Sequence, residues 1–147
     1  LMSPEAVADF ASQARGADAA AAFARRESVL AAHPDGQRKF YRFKGGEYSN
    51  CNMYWLGNAR ALAAAEVFRT GGQFAKYPKR ILGAFGWFNL LLFRLGLLSL
   101  DGAFARFSRR FRLDIRPVVI ADGKVAIDVD NPRTKTVAEE ILARQPA

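Results

Sequence analysis

Residues 115–132 read IRPVVIADGKVAIDVDNP, and the choice of fold turns on them. Ile115 to Ile120 is a β-branched run of strand length. Asp122-Gly123 is a two-residue turn signal, and Lys124 to Val129 alternates well enough to return as a second strand, so a hairpin is expected. Pro132 then opens a helix to Arg144, with Val137, Ile141 and Leu142 expected to face inward. Within the second strand, a period of two puts Asp128 and Asp130 on one face and Ile127 and Val129 on the other.

Outward from this stretch the chain alternates helix and strand. Ser3-Pro4-Glu5 carries a cap, a helix-start proline and an acidic first turn, with Val7, Phe10, Ala11 and Ala14 as the apolar face and Gly16 as the stop. Ala19–Ala24 is a short apolar strand, and Glu27–Ala32 a helical turn closed by Pro34-Asp35-Gly36. His33 falls in that loop and is expected at the surface. Phe40–Phe43, Gly45-Gly46 and Glu47–Leu56 form a hairpin pattern. Asn58 begins a helix over Ala59–Arg69, and Leu100-Asp101 caps another over Gly102–Phe111, whose Phe104, Phe107 and Phe111 share one face. The order predicts an α/β fold, a mixed sheet with hairpins and flanking helices, in a single unit over 1–147.

From Ile81 to Leu100, 14 of 20 residues are apolar and Arg94 is the only charge. A central arginine and several Gly, Asn and Ser make this a poor lipid-spanning surface, so a buried or partly interfacial helix is expected.

The formal charge is +8, and residues 67–116 carry all of it: ten basic side chains against Asp101 and Asp114. Such a field suits an anionic partner, whether nucleotide phosphate, nucleic acid or lipid headgroup. A solvated arginine-rich surface is the alternative, since 16 of the 22 basic residues are Arg. One cysteine and one histidine exclude a disulfide framework and argue against a Cys/His zinc site. No GxGxxG or GxxxxGK[ST] occurs in the 147 residues.

Three clusters could carry chemistry. Asp128 and Asp130 offer hard oxygen ligands of the kind Mg²⁺ takes, or Asp130 caps the following helix. Ser49, Asn50 and Asn52 interrupt an aromatic strand. The two asparagines are disfavoured there and either contact a polar ligand or face solvent on an edge. Lys79 and Arg80 flank a helix start, where they bind phosphate or simply sit at the surface.

These segments resemble the C-terminal half of MobA-like NTP transferases, the Rossmann-like nucleotidyltransferases. Leu1–Val7 is similar to the segment after their metal-binding D-x-P turn, Phe40–Tyr54 to their G-G…N-hydrophobic-aromatic strand, and Ile127–Pro132 to their closing D-hydrophobic-D-T-P motif, with Asn131 where Thr is common. The resemblance implies an incomplete Rossmann-like nucleotidyltransferase fold whose nucleotide-binding N-terminal half lies outside these residues. It implies transfer of a nucleoside monophosphate from an NTP to a phosphorylated acceptor, small or lipid-like, with Mg²⁺ and release of pyrophosphate. Asp130 matches a metal-ligand position with Asp128 beside it, and Asn52 an acceptor-pocket position. A cytoplasmic protein, peripheral to an anionic inner-membrane face or homo-oligomeric through its apolar segment, would follow. The alternative is a basic, non-catalytic module that binds nucleic acid or an anionic membrane surface.

Overall fold

A computed structural model describes residues 1–65, 91–92 and 94–144. Four strands form one open, mixed sheet in the order β2-β3-β1-β4. Helix α1 (Pro4–Ala14) begins where Ser3 Oγ accepts from the Ala6 N–H at 3.2 Å, and it stops before Gly16, whose φ is +86°. It buries Ala6, Phe10 and Ala14, a strict i, i+4, i+8 stripe. Val7 lies off that stripe and is exposed, against expectation.

Strand β1 (Ala19–Arg25) is the apolar run the sequence suggested, and α2 (Arg26–Ala32) follows it directly. The hairpin of β2 (Tyr41–Phe43) and β3 (Gly46–Leu56) forms as expected, turning at Lys44 and at Gly45 with φ +94°. Asn58 caps α3 (Ala59–Ala65) by accepting from the Ala61 N–H. Helix α4 (Leu100–Phe111) starts two residues earlier than expected. Ser99 Oγ takes the Gly102 N–H at 3.1 Å, and Asp101 sits in the first turn.

Strand β4 (Ile115–Ile120) runs parallel to β1, and β3 runs antiparallel to it. The second hairpin does not form. Asp122 Oδ1 accepts from the Lys124 N–H, and Gly123–Ala126 winds into a 3₁₀ turn. Gly123 explains the departure, because it packs on the backbone of α2: a Cβ there would lie 2.1 Å from the Ser28 carbonyl oxygen. Val125, Ala126 and Ile127 are then buried in succession, which a two-sided strand with one wet face would not allow. Val129, expected inward, is 57% exposed.

Helix α5 (Pro132–Ala143) has a capping box between Asn131 and Thr134. It buries Thr134, Val137, Ala138 and Ile141, while Leu142 faces solvent rather than the core.

The sheet separates two apolar cores. Ala20, Ala22 and Ala24 of β1 pack with Phe10 of α1, Cys51 and Met53 of β3, Val118 and Ile120 of β4, and Val137 and Ile141 of α5. Small alanines let the helices approach this face closely. On the other face Phe23, Phe43 and Tyr48 pack with Leu98, Leu100 and Ala103. Phe104 meets Phe23 edge-on at 5.6 Å, and Phe107 stacks on Phe111 at 6.2 Å.

His33 is buried, not a surface residue. Its Nδ1 accepts from the Asp35 N–H, so Nε2 carries the proton and donates to Glu140 Oε2 at 2.9 Å. Among the described residues no helix is long and apolar enough to cross a membrane.

Candidate functional site

The site begins as an irregularity in β3. Ala21 pairs with Tyr54 and Phe23 with Asn50, so two steps along β1 face four along β3. The surplus is a bulge at Cys51–Met53, and Asn52 takes a left-handed conformation with φ +54°. Asparagine tolerates that region better than other non-glycine residues. Cys51 and Met53 both turn into the core, and Asn52 between them is driven outward. With Cys51 and Met53 inward, Asn50 and Asn52 both stay off the core, as simple alternation expects. The two remain linked, because Asn50 Oδ1 accepts from the Asn52 N–H at 2.8 Å.

The outward side chain reaches the far motif. Asn52 Nδ2 donates to Asp128 Oδ2 at 2.6 Å, across 76 positions of sequence. Asn50 Nδ2 donates to the Tyr54 hydroxyl oxygen at 2.6 Å. Two of the candidate clusters therefore meet in one polar chain, from Tyr54 through Asn50 and Asn52 to Asp128.

Asp130 acts on Asp128 through its charge. Its Oδ1 accepts from Thr134 Oγ1 at 3.2 Å and from Asn131 Nδ2. The helix cap itself is Asn131, whose Oδ1 takes the Thr134 N–H at 3.1 Å. Asp130 is thus oriented by the first turn of α5 without capping it.

Packing against the protein pushes the Asp128 pKa above the ordinary carboxylate range, and the charge of Asp130 adds to that. The hydrogen bond from Asn52 opposes the shift by favouring the ionised form. Cys51 is 1% exposed, and burial, followed by the charges of Asp128 and Asp122, pushes its thiol up to about 12. It stays protonated at neutral pH and is no nucleophile.

The remaining candidates are less central. Ser49 is buried opposite Ala24 of β1, away from the exposed side of the chain of amides. Lys79 and Arg80 lie outside the described residues. Tyr54 and Thr134 were not singled out from sequence. Tyr54 reads there only as a strand former, whereas the N-x-x-T spacing from Asn131 did carry a legible capping signal.

Among the described residues no group of three or more His, Cys, Asp or Glu could hold a metal. Asp128, Asp130 and the Asn52 amide would offer oxygen donors alone. That fits Mg²⁺, which takes one or two protein carboxylates and completes its shell with water and substrate phosphate. The site lies apart from a cavity of about 190 Å³ lined by Ala32, Lys124, Ile141 and Arg144.

No family model and no curated protein matches the chain. It is similar in structure to a hypothetical transferase from Thermus thermophilus, with 28% sequence identity and a TM-score of 0.74. The likeness covers 86% of this chain and 55% of that one, so the chain spans about half the length of that neighbour. The mixed open sheet with flanking helices is consistent with a partial Rossmann-like fold.

Proposed function

We propose that these residues form the acceptor side and part of the metal site of a transferase. It moves a nucleoside monophosphate from an NTP to a phosphorylated acceptor and releases pyrophosphate. The observation that carries the reading is the Asn52–Asp128 hydrogen bond, which joins two motifs distant in sequence. The likeness to a hypothetical transferase supports the general class of reaction.

In the proposed reaction an acceptor phosphate oxygen attacks the α-phosphorus of the NTP. A new P–O bond forms there, the bond to the β-phosphate oxygen breaks, and pyrophosphate leaves with that electron pair. Mg²⁺ held by Asp128 and Asp130 would neutralise charge on the phosphate oxygens. Asn52 fixes the direction of the Asp128 carboxylate and favours its ionised form against burial and the charge of Asp130. Thr134 and Asn131 fix the direction of the Asp130 carboxylate by their hydrogen bonds. Asn50 and Tyr54 present an amide and a hydroxyl where an acceptor's polar groups would meet the bulge. On this reading the glycine-rich nucleotide loop belongs to sequence outside residues 1–147.

The test is pyrophosphate release by the natural protein, with each of the four common NTPs, Mg²⁺ and a panel of phosphorylated sugars, alcohols and cofactor precursors. Acceptor-dependent release with one or two nucleotides is expected. Its absence for every pair would refute the proposal.

The competing idea of a nucleic-acid module needs aromatic rings free to stack on bases. Phe107 is buried, Phe104 is packed on Phe23, and Phe111 is stacked on Phe107, so the rings of α4 are used in the fold.

A further inference from the structure

The leucines just before α4 divide into two sets. Leu92 packs against the second core, and Leu98 and Leu100 are 6% and 4% exposed within it. Leu91, Leu95 and Leu97 point the other way and are 42%, 60% and 60% exposed. Local geometry fixes this division. The Leu95 N–H bonds to the Leu91 carbonyl at 3.0 Å and the Leu97 N–H to that of Leu92 at 3.0 Å, and Gly96 turns the chain between them at φ +65°. The inward set already fills the core, so the outward three have no packing role among the described residues.

Three cations lie close to this turn. Arg94 is exposed within the same turn. The Lys44 N–H bonds to the Leu98 carbonyl at 2.9 Å, which seats the β2–β3 turn beside the leucines. The Arg42 side chain runs past Gly96, with Cδ 3.7 Å from where a Cβ would be, and is 79% exposed. Only Arg42 has a carboxylate nearby, Glu47 at 3.6 Å; Lys44 and Arg94 have no acidic partner among the described residues.

We infer that Leu91, Leu95 and Leu97, with Arg42, Lys44 and Arg94 around them, dock this protein on the surface of an anionic lipid bilayer. Exposed leucines beside Arg and Lys match the two attractions of an interfacial site: insertion of side chains below the headgroups and attraction of cations to anionic lipid. A soluble anion would satisfy the cations and leave the leucines in water. A second copy of the chain on a two-fold axis would set the same three cations against themselves. The absence of a spanning helix among the described residues agrees with a protein that lies on the membrane there. This inference does not depend on the nucleotidyl-transfer reading.

Flotation of the intact protein with vesicles of phosphatidylcholine alone, and of phosphatidylcholine with one-quarter phosphatidylglycerol, tests it at 0.1 M and 0.5 M salt. Binding to the anionic vesicles is expected at least tenfold above the zwitterionic ones, weakening at high salt. Leu95→Gln/Leu97→Gln should lower partitioning about tenfold. Lys44→Gln/Arg94→Gln should remove most of the preference for anionic lipid. Circular dichroism checks that each variant folds, and if the leucine pair does not, the exposed cation pair decides. No binding, equal binding to both vesicles, or binding unchanged in the folded variants would overturn the inference. So would a dimer that the leucine pair dissociates without any vesicle binding.

Discussion

Asn52 allows the backbone and the side chain of the site to be perturbed separately. Its φ of +54° is one an alanine holds only at a strain of about 1–2 kcal/mol, whereas glycine holds it freely. Glycine instead destabilises through the entropy of the unfolded chain, by about 0.5–1 kcal/mol. Both substitutions lose the hydrogen bond to Asp128, a net contribution of about 1 kcal/mol at a solvent-facing position. Asn52→Ala should therefore be less stable than Asn52→Gly by about 0.5–1 kcal/mol, read from urea unfolding of both proteins at one pH. The electrostatic effect should be common to the two. Asn52 favours ionised Asp128, so its loss moves the Asp128 pKa further up, while Asn52→Asp adds a third carboxylate and moves it up more. Carboxyl-carbon NMR titration reads this directly. Equal stability of the alanine and glycine variants would refute the strained bulge. An Asp128 titration that stays in place or moves down would refute the hydrogen bond as its stabiliser.

Four further outcomes follow from the packing. Gly123→Ala should lower stability by about 1–3 kcal/mol in chemical denaturation, because the added methyl meets the Ser28 backbone at 2.1 Å. Ile120→Ala, at a fully buried position of β4, should cost about 2–5 kcal/mol in the same assay. Asp18 accepts from the Asp114 N–H and from Asn58 Nδ2, and these bonds hold its pKa below the ordinary value. The stability it contributes is present above its unfolded pKa and is lost as pH falls through the folded one, so Asp18→Ala should destabilise at neutral pH and lose its effect in acid. Cys51, buried and with its thiol pushed up to about 12, should react with a disulfide reagent only as fast as the protein opens; rapid labelling of folded protein would contradict the core placement of β3.

The legible parts of the fold were those set by neighbours in sequence. Ser3 and Pro4 announce α1, the alanines of β1 announce a strand, and Gly45-Gly46 between aromatic runs announces the hairpin. The misread parts were decided by contacts at long range. Asp122-Gly123 has the composition of a hairpin turn, but the approach of Gly123 to α2 makes it the start of a 3₁₀ turn. His33 looks like a loop residue until Glu140, 107 positions away, supplies its partner. The candidate site was half legible in the same sense. Both motifs stood out, one because asparagines interrupt a strand and the other because two aspartates precede a helix. Their contact depends on a bulge at Cys51–Met53 that holds Asn52 in a left-handed conformation, and periodicity cannot foresee that. Tyr54 entered the site by the same route, through its bond from Asn50.

We propose that Asp128 and Asp130 act together as oxygen ligands in phosphoryl chemistry. The most direct test is Mg²⁺-titrated pyrophosphate release by the natural protein beside Asp128→Asn and Asp130→Asn, each checked for an unchanged melting profile. At least a tenfold loss of turnover is expected in each variant, with a higher Mg²⁺ requirement. Turnover equal to the parent at every Mg²⁺ concentration would contradict the proposal.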